Sequence, residues 1–331
     1  MLRAQCAANP AQLKAALEGL RKYQEAERPP PPAPMPALAE VRGAILRDYS
    51  EAGASGPPIL FVPSLINPPN VLDMGDRSLL RWLAGQGRRV LLLDWGWPGP
   101  DRRGLSVAGH VEQILLPLME KLGEPADLVG YCLGGTMALA AAQAGPARSV
   151  ATLAAPWHFD GFPDEARVQL GRLWESARPT AASLGVLPME VLQCAFWNLD
   201  PARTVAKYIA FAALEGAEAR TFVMLEDWAN DGPPLSEGAA REMFEDLFRD
   251  DVTGTGRWIV GGASADPASL RMRLLNIVST TDRIVPAATA LRAGERLELD
   301  LGHVGMVVGS RAQEKLWKPL ADWLFLSEAN W

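Results

Sequence analysis

The residue best placed to do chemistry is Cys132. It sits in Leu128-Val129-Gly130-Tyr131-Cys132-Leu133-Gly134-Gly135-Thr136, a short apolar run followed by G-x-C-x-G and then by an alanine-rich segment, Met137 to Ala144. This spacing predicts a nucleophile elbow, in which a strand turns sharply into a helix and holds up the residue at the turn with its reactive atom exposed. Gly130 and Gly134 stand two residues either side because a strained turn leaves no room for β-carbons where strand and helix pass. Serine is the usual occupant. The thiol here is the better nucleophile near neutral pH, and the following helix turns its positive end toward the sulfur. Alone, G-x-C-x-G reads as readily as a buried structural cysteine, so its partners decide.

An elbow nucleophile works with an acid and then a histidine, in that chain order. Leu274 to Ser279 reads as a core strand ending in a loop that carries Asp282, and Leu297 to Leu301 as a last short strand whose loop, between Gly302 and Gly305, carries His303. Cys132, Asp282 and His303 are therefore the expected nucleophile, orienting acid and base. Among the rivals, His110 lies near a helix start, far from any strand end. His158 follows a strand ending on the catalytic side and ranks second as base. Asp300 is only three residues from His303, and Asp94 precedes the nucleophile, so Asp282 is preferred. The oxyanion hole of such a site takes one backbone amide from the residue after the nucleophile, Leu133. The other comes from the loop Pro63-Ser64-Leu65-Ile66-Asn67, and is that of Leu65 or Ile66.

Positioning these groups requires strands that end on one side. Ala44–Tyr49, Ile59–Val62, Val90–Leu93, Ala126–Val129, Val150–Leu153 and Leu274–Ser279 alternate with helical stretches, which predicts a mostly parallel sheet covered by helices on both faces. From Gly161 to Pro267 the rhythm breaks into helical, aromatic-rich sequence with Trp174, Phe211, Trp228 and Phe244, read as a cap insertion over the strand ends. Asn9-Pro10 opens a helix that stops at the proline run Pro29 to Pro36. The expected organisation is an N-terminal helix and Pro-rich linker over 1–40, sheet core over 41–160, helical cap over 161–267 and the closing part of the core over 268–331. The N-terminal helix either packs on the chain's own surface or binds a partner.

A formal net charge of -7 with no basic run argues against a nucleic-acid surface. Cys6, Cys132 and Cys194 have neither zinc-site nor disulfide-framework spacing, so no metal is expected and a reducing compartment fits. No long uncharged apolar span appears, and the first residues, broken by Lys, Glu and Arg, lack a signal-peptide core. A cytoplasmic protein with no transmembrane segment is expected.

With these residues placed, the chain resembles the polyhydroxyalkanoate synthases, specifically the short two-component kind. The resemblance is carried by Val62 to Asn67 with Val71-Leu72-Asp73, by Leu93 to Pro98, by Gly130 to Thr136, by Thr281 to Pro286, by Gly302 to Gly305 and by Ala321 to Leu324. It implies an α/β-hydrolase fold and an acyltransferase that joins hydroxyacyl units from coenzyme A thioesters through a thioester on Cys132, with no cofactor. The family's catalytic Cys, Asp and His fall on Cys132, Asp282 and His303. Asn67, Tyr131, Trp157 and His158 are candidate substrate-binding residues, and Tyr131-Leu133 and Trp157-His158 depart from the usual family residues. A second synthase subunit, a homodimer contact and a polymer granule surface are the partners the resemblance admits. Two other readings stand beside it: a thioesterase, esterase or depolymerase-type hydrolase using the same triad, and a non-catalytic granule-associated or partner subunit.

Overall fold

The computed structural model describes residues 2–30 and 32–326; Met1, Pro31 and residues 327–331, which belong to the N-terminal, linker and closing spans, lie outside the described residues. The chain divides into two compact units, one of Met1–Ala33 with Glu190–Gly232 and one of Pro34–Met189 with Pro233–Trp331.

The larger unit is built on an eight-stranded sheet. Its strands are β1 (Ala37–Val41), β2 (Ala44–Asp48), β3 (Ser55–Val62), β4 (Arg88–Asp94), β5 (Ala126–Tyr131), β6 (Ala147–Leu153), β7 (Arg273–Ser279) and β8 (Glu295–Leu299). They lie in the order β1-β2-β4-β3-β5-β6-β7-β8. The β1–β2 and β2–β4 pairs are antiparallel, and every pair from β4 to β8 is parallel. Leu60, Phe61, Val62, Leu93, Leu128, Val129 and Val150 are all buried, which is why the central strands read as unbroken apolar runs with helices on both faces. The registers Val62–Gly130, Tyr131–Leu153, Leu153–Ile277 and Ser279–Leu299 bring the carboxyl ends of five strands to one edge. Loops leaving that edge carry Leu65, Cys132, His158, Asp282 and His303. In open α/β sheets this edge is where ligands bind.

Strand β1 was not anticipated, since residues 1–40 were expected to be helix and linker. Ala37–Val41 pairs with β2 through a tight hairpin in which Arg42 and Gly43 both have positive φ, 51° and 79°. Both values are those of a two-residue turn matched to strand twist. Arg-Gly is a poor signal for that turn, because the first position normally holds Asn, Asp or Gly.

The part of the 161–267 insertion that belongs to this unit is anchored by aromatic packing. The helix Asp164–Leu184 lies against a helical run from Glu237 to Arg249; Trp174 stacks on Phe244 at 5.4 Å, and its indole donates to Glu245 at 2.8 Å. Gly238 passes so close to Gly104 that a Cβ would meet its carbonyl oxygen at 2.4 Å, and the Ser236 hydroxyl donates to the Leu105 carbonyl at 2.8 Å.

The smaller unit joins the N-terminal helix Pro10–Glu25 to the helices Pro201–Ala212 and Gly216–Asn230. Asn9 caps the first helix by accepting from the Gln12 amide at 3.1 Å, with Pro10 in the first turn. Gly19 allows the helices to touch, since a Cβ there would fall 1.8 Å from the Tyr208 carbonyl oxygen. Cys6, Ala16 and Val205 form a small core with Leu13 and Ile209, and the Tyr23 hydroxyl donates to Asp227 at 2.6 Å. Residues 190–232 thus pack with the N-terminal helix, while residues 161–189 and 233–267 belong to the unit that contains the sheet. Helical periodicity marks an apolar stripe but not which stripe it meets, so this division was not visible in the sequence.

Candidate active site

The elbow is geometrically tight. Cys132 follows β5 with φ 55° and ψ -132°, a left-handed backbone that a residue with a Cβ rarely adopts, and the helix Leu133–Ala144 begins at the next residue. The turn is tied down by its own backbone: the Cys132 amide donates to Leu153 at 2.9 Å, and the Gly135 amide donates to the Cys132 carbonyl at 2.8 Å. A Cβ on Gly130 would lie 2.4 Å from the Gly135 Cα, and one on Gly134 would lie 2.1 Å from the Val62 carbonyl oxygen. The two glycines are where the helix crosses β5 and the end of β3. Strain of this kind persists because the surrounding packing leaves the chain no alternative, and it recurs at reactive sites. Cys132 itself is partly accessible, whereas Cys6 is buried and Cys194 exposed.

Asp282 and His303 meet from the loops after β7 and β8. The His303 Nδ1 lies 2.6 Å from Asp282 Oδ2, with both side chains buried. The other carboxylate oxygen, Oδ1, accepts the amides of Ile284 at 2.7 Å and Val285 at 3.0 Å, so the acid is held from behind by its own loop. Cys132 lies close enough to His303 to act on its ionisation. Burial alone would push the imidazolium down. The neighbouring Cys132 and the hydrogen bond to Asp282 outweigh it, so the net effect is to raise the His303 pKa above its ordinary range. The arrangement is one imidazole between a thiol and a buried carboxylate, able to move a proton to and from sulfur.

The rival groups are engaged elsewhere. His110 is buried against Trp95 with Nδ1 2.8 Å from the Ser106 carbonyl oxygen, and burial pushes its pKa down to about 4. Asp300 pairs with Arg311 at 3.0 Å on the surface, and Asp94 pairs with Arg47 at 3.2 Å. His158 stands with Asp160 and Asp251, their ligand atoms within 4.8 Å of one another, a grouping the sequence reading did not find. Burial, and then the nearby Arg292, lower its pKa.

The expected oxyanion amides are at the expected strand and helix ends. The Ile66 amide donates to the Ser64 hydroxyl at 3.0 Å, which commits it to its own turn. Among the described residues the Leu65 and Leu133 amides donate to no protein acceptor. Ser64, buried at the end of β3, is therefore a residue that sequence reasoning missed; the Pro-Ser pair after an apolar strand was the available signal. Of the candidate substrate-binding residues, Asn67 has φ 63° in the same loop and is half-buried. Trp157 is buried against Trp258 at 6.1 Å, and Tyr131 is buried against His303 at 5.0 Å. Those two rings are covered by protein.

Residues 59–316 match the model of the alpha/beta hydrolase family. The chain belongs to that family. Its fold agrees with solved structures of a thermophilic esterase from Thermogutta terrifontis (TM-score 0.53, 18% identity, 90% of this chain and 98% of that one) and a monoacylglycerol lipase from Paleococcus ferrophilus (TM-score 0.52, 16% identity, 85% and 98%). These establish the fold alone. Within the family, the resemblance to polyhydroxyalkanoate synthases is borne out. The chain is 29% identical over 287 residues to the poly(3-hydroxyalkanoate) polymerase subunit PhaC of Haloferax mediterranei, covering 80% of this chain and 58% of that protein. It is 27% identical over 287 residues to that of Haloarcula marismortui, covering 80% and 60%. It is 28% identical over 289 residues to that of Allochromatium vinosum, covering 81% and 80%. The chain spans about three fifths of the length of the two haloarchaeal relatives. Among the described residues no helix is long and apolar enough to cross a membrane.

Proposed function

We propose that this protein is an acyltransferase that polymerises hydroxyacyl units from coenzyme A thioesters into polyhydroxyalkanoate. The observation that carries the reading is the buried His303–Asp282 pair at 2.6 Å, beside a cysteine at a strained elbow, in a chain similar to poly(3-hydroxyalkanoate) polymerase subunits. In the first half-reaction His303 accepts the Cys132 thiol proton, and the sulfur attacks the thioester carbonyl. The Leu65 and Leu133 amides stabilise the oxyanion. As the tetrahedral intermediate collapses, coenzyme A leaves as a thiol carrying the proton from His303, and the acyl group remains on Cys132. In the second, the hydroxyl of another hydroxyacyl unit gives its proton to His303 and attacks the acyl-enzyme carbonyl. An ester forms and Cys132 regains its proton. Asp282 holds the imidazole in one tautomer throughout.

A thiol nucleophile suits this chemistry because exchanging one thioester for another is nearly balanced, which keeps the acyl group activated. Every step uses side chains and backbone amides of this chain, so no metal or prosthetic group enters the reading. A second subunit or a homodimer, and the surface of a polymer granule, join the reading as partners, with the cytoplasm as its place.

The test is to supply 3-hydroxybutyryl-coenzyme A, and separately an acyl-coenzyme A without the 3-hydroxyl, while following free coenzyme A and polymer. The expected result is continued turnover with polymer from the first. From the second, about one equivalent of coenzyme A per site is expected, followed by a stall, the burst of an accumulating acyl-enzyme. Steady turnover of both to free acid, without polymer, would make the protein a hydrolase with the same triad. No release of coenzyme A from either would favour a non-catalytic subunit.

A further inference from the structure

The two glycines that flank His303 do not lock its loop: a Cβ on Gly302 or Gly305 would meet nothing within 4 Å, and neither glycine has positive φ. The loop is held by the Met306 amide on the Gly302 carbonyl, by the Ser279 hydroxyl on the Leu301 carbonyl, by Asp282 on the imidazole, and from β5. Tyr131, one residue before the nucleophile, is 3% exposed; its hydroxyl donates to the His303 backbone carbonyl at 3.2 Å, and its ring lies 5.0 Å from the imidazole at an interplanar angle of 32°. The same residue thus grips the histidine by its main chain and covers one face of its ring. With its hydroxyl used and its ring covered, Tyr131 has little surface left for substrate.

Resting on the triad proposed above, we infer that Tyr131 is a positioning residue for His303, coupling the base to the elbow so that the imidazole and Cys132 move as one body. Burial, and then the nearby charges of Cys132 and Asp282, keep the phenol protonated, so it remains a donor across the working range of pH. The position is economical. Because Tyr131 and Cys132 are consecutive, any shift of the elbow shifts the support of the base with it.

Tyr131→Phe removes the hydroxyl and keeps the ring; Tyr131→Leu removes both. For the first, kcat should fall about fivefold with KM unchanged, the rate equivalent of one neutral hydrogen bond. For the second, roughly a further fivefold to tenfold loss is expected as the ring contact goes. A readout independent of polymerisation is the pH profile of Cys132 alkylation by iodoacetamide, followed at the Cys132 peptide by mass spectrometry so that Cys194 does not contribute. The profile should move to higher pH in Tyr131→Phe and further in Tyr131→Leu, because a looser imidazole supports the thiolate less well. Wild-type profiles and kcat in both folded variants would overturn the inference, as would a change in KM alone, which would make Tyr131 a substrate contact. If wild type proves inactive on hydroxyacyl-coenzyme A, the proposed function fails, while the alkylation profiles still decide the role of Tyr131.

Discussion

Asp282→Asn separates the orienting role of the acid from its structural one. Asp282 is an acceptor on both sides: Oδ2 faces His303 Nδ1 at 2.6 Å, and Oδ1 takes the Ile284 and Val285 amides at 2.7 and 3.0 Å. Asparagine offers only one oxygen. Pointed at the two loop amides, it keeps the loop intact and turns its NH2 toward His303. Nδ1 must then accept, the remaining ring proton moves to Nε2, and the imidazole can no longer take the Cys132 proton. The loss of kcat expected for such a wrong tautomer is on the order of 10² to 10⁴, with KM little changed. Thermal or urea stability should stay close to wild type, because the loop amides remain satisfied. Asp282→Ala should be as inactive and also less stable by about 1–3 kcal/mol, since it leaves the two amides without their acceptor. The assay is initial release of coenzyme A from a hydroxyacyl-coenzyme A, paired with a urea melt of each variant. Asp282→Asn retaining activity within a few-fold of wild type would refute the assignment of Asp282.

Three further outcomes are expected. Cys132→Ala and His303→Ala should abolish coenzyme A release, while Cys6→Ala, Cys194→Ala and His158→Ala keep most of it; a dead His158→Ala beside an active His303→Ala would reverse the choice of base. Gly134→Ala should disable or unfold the elbow, because the new Cβ would sit 2.1 Å from the Val62 carbonyl oxygen, backbone that cannot move aside; soluble expression with circular dichroism, followed by the activity assay, checks this. His110 has a folded-state pKa lowered from 6.5 to about 4 by burial, so between those values the unfolded chain binds a proton that the folded chain does not. Stability should therefore fall by up to about 3 kcal/mol as pH drops from 6.5 to 4, and His110→Asn should flatten that part of the urea-midpoint profile.

What the sequence by itself determined is whatever short-range physics dictates. The elbow was legible because two glycines, an apolar strand and a small-residue helix must occur in consecutive positions for the chain to turn there. Asp282 and His303 were legible because the chain order of such a site, applied to the strand ends that the apolar runs mark, selects them. The central strands were legible because burial on both faces leaves unbroken runs such as Val90–Leu93.

Other features depend on residues far apart in the chain, and only the tertiary structure decided them. The edge strand β1 exists because Arg42 adopts a left-handed backbone to pair Ala37–Val41 with β2, a conformation its side chain does not advertise. Residues 190–232 pack with the N-terminal helix because Gly19 admits the Tyr208 carbonyl, a fit between surfaces about 190 positions apart in sequence. The Ser64 hydroxyl, rather than any motif, separates Leu65 from Ile66 as an available amide. Tyr131 reads from its position as a side chain near substrate, yet its ring and hydroxyl are turned onto His303, 172 residues away. Sequence spacing carries the chemistry a turn can perform, whereas which side chains occupy its surroundings depends on packing, and packing is fixed only when distant segments meet.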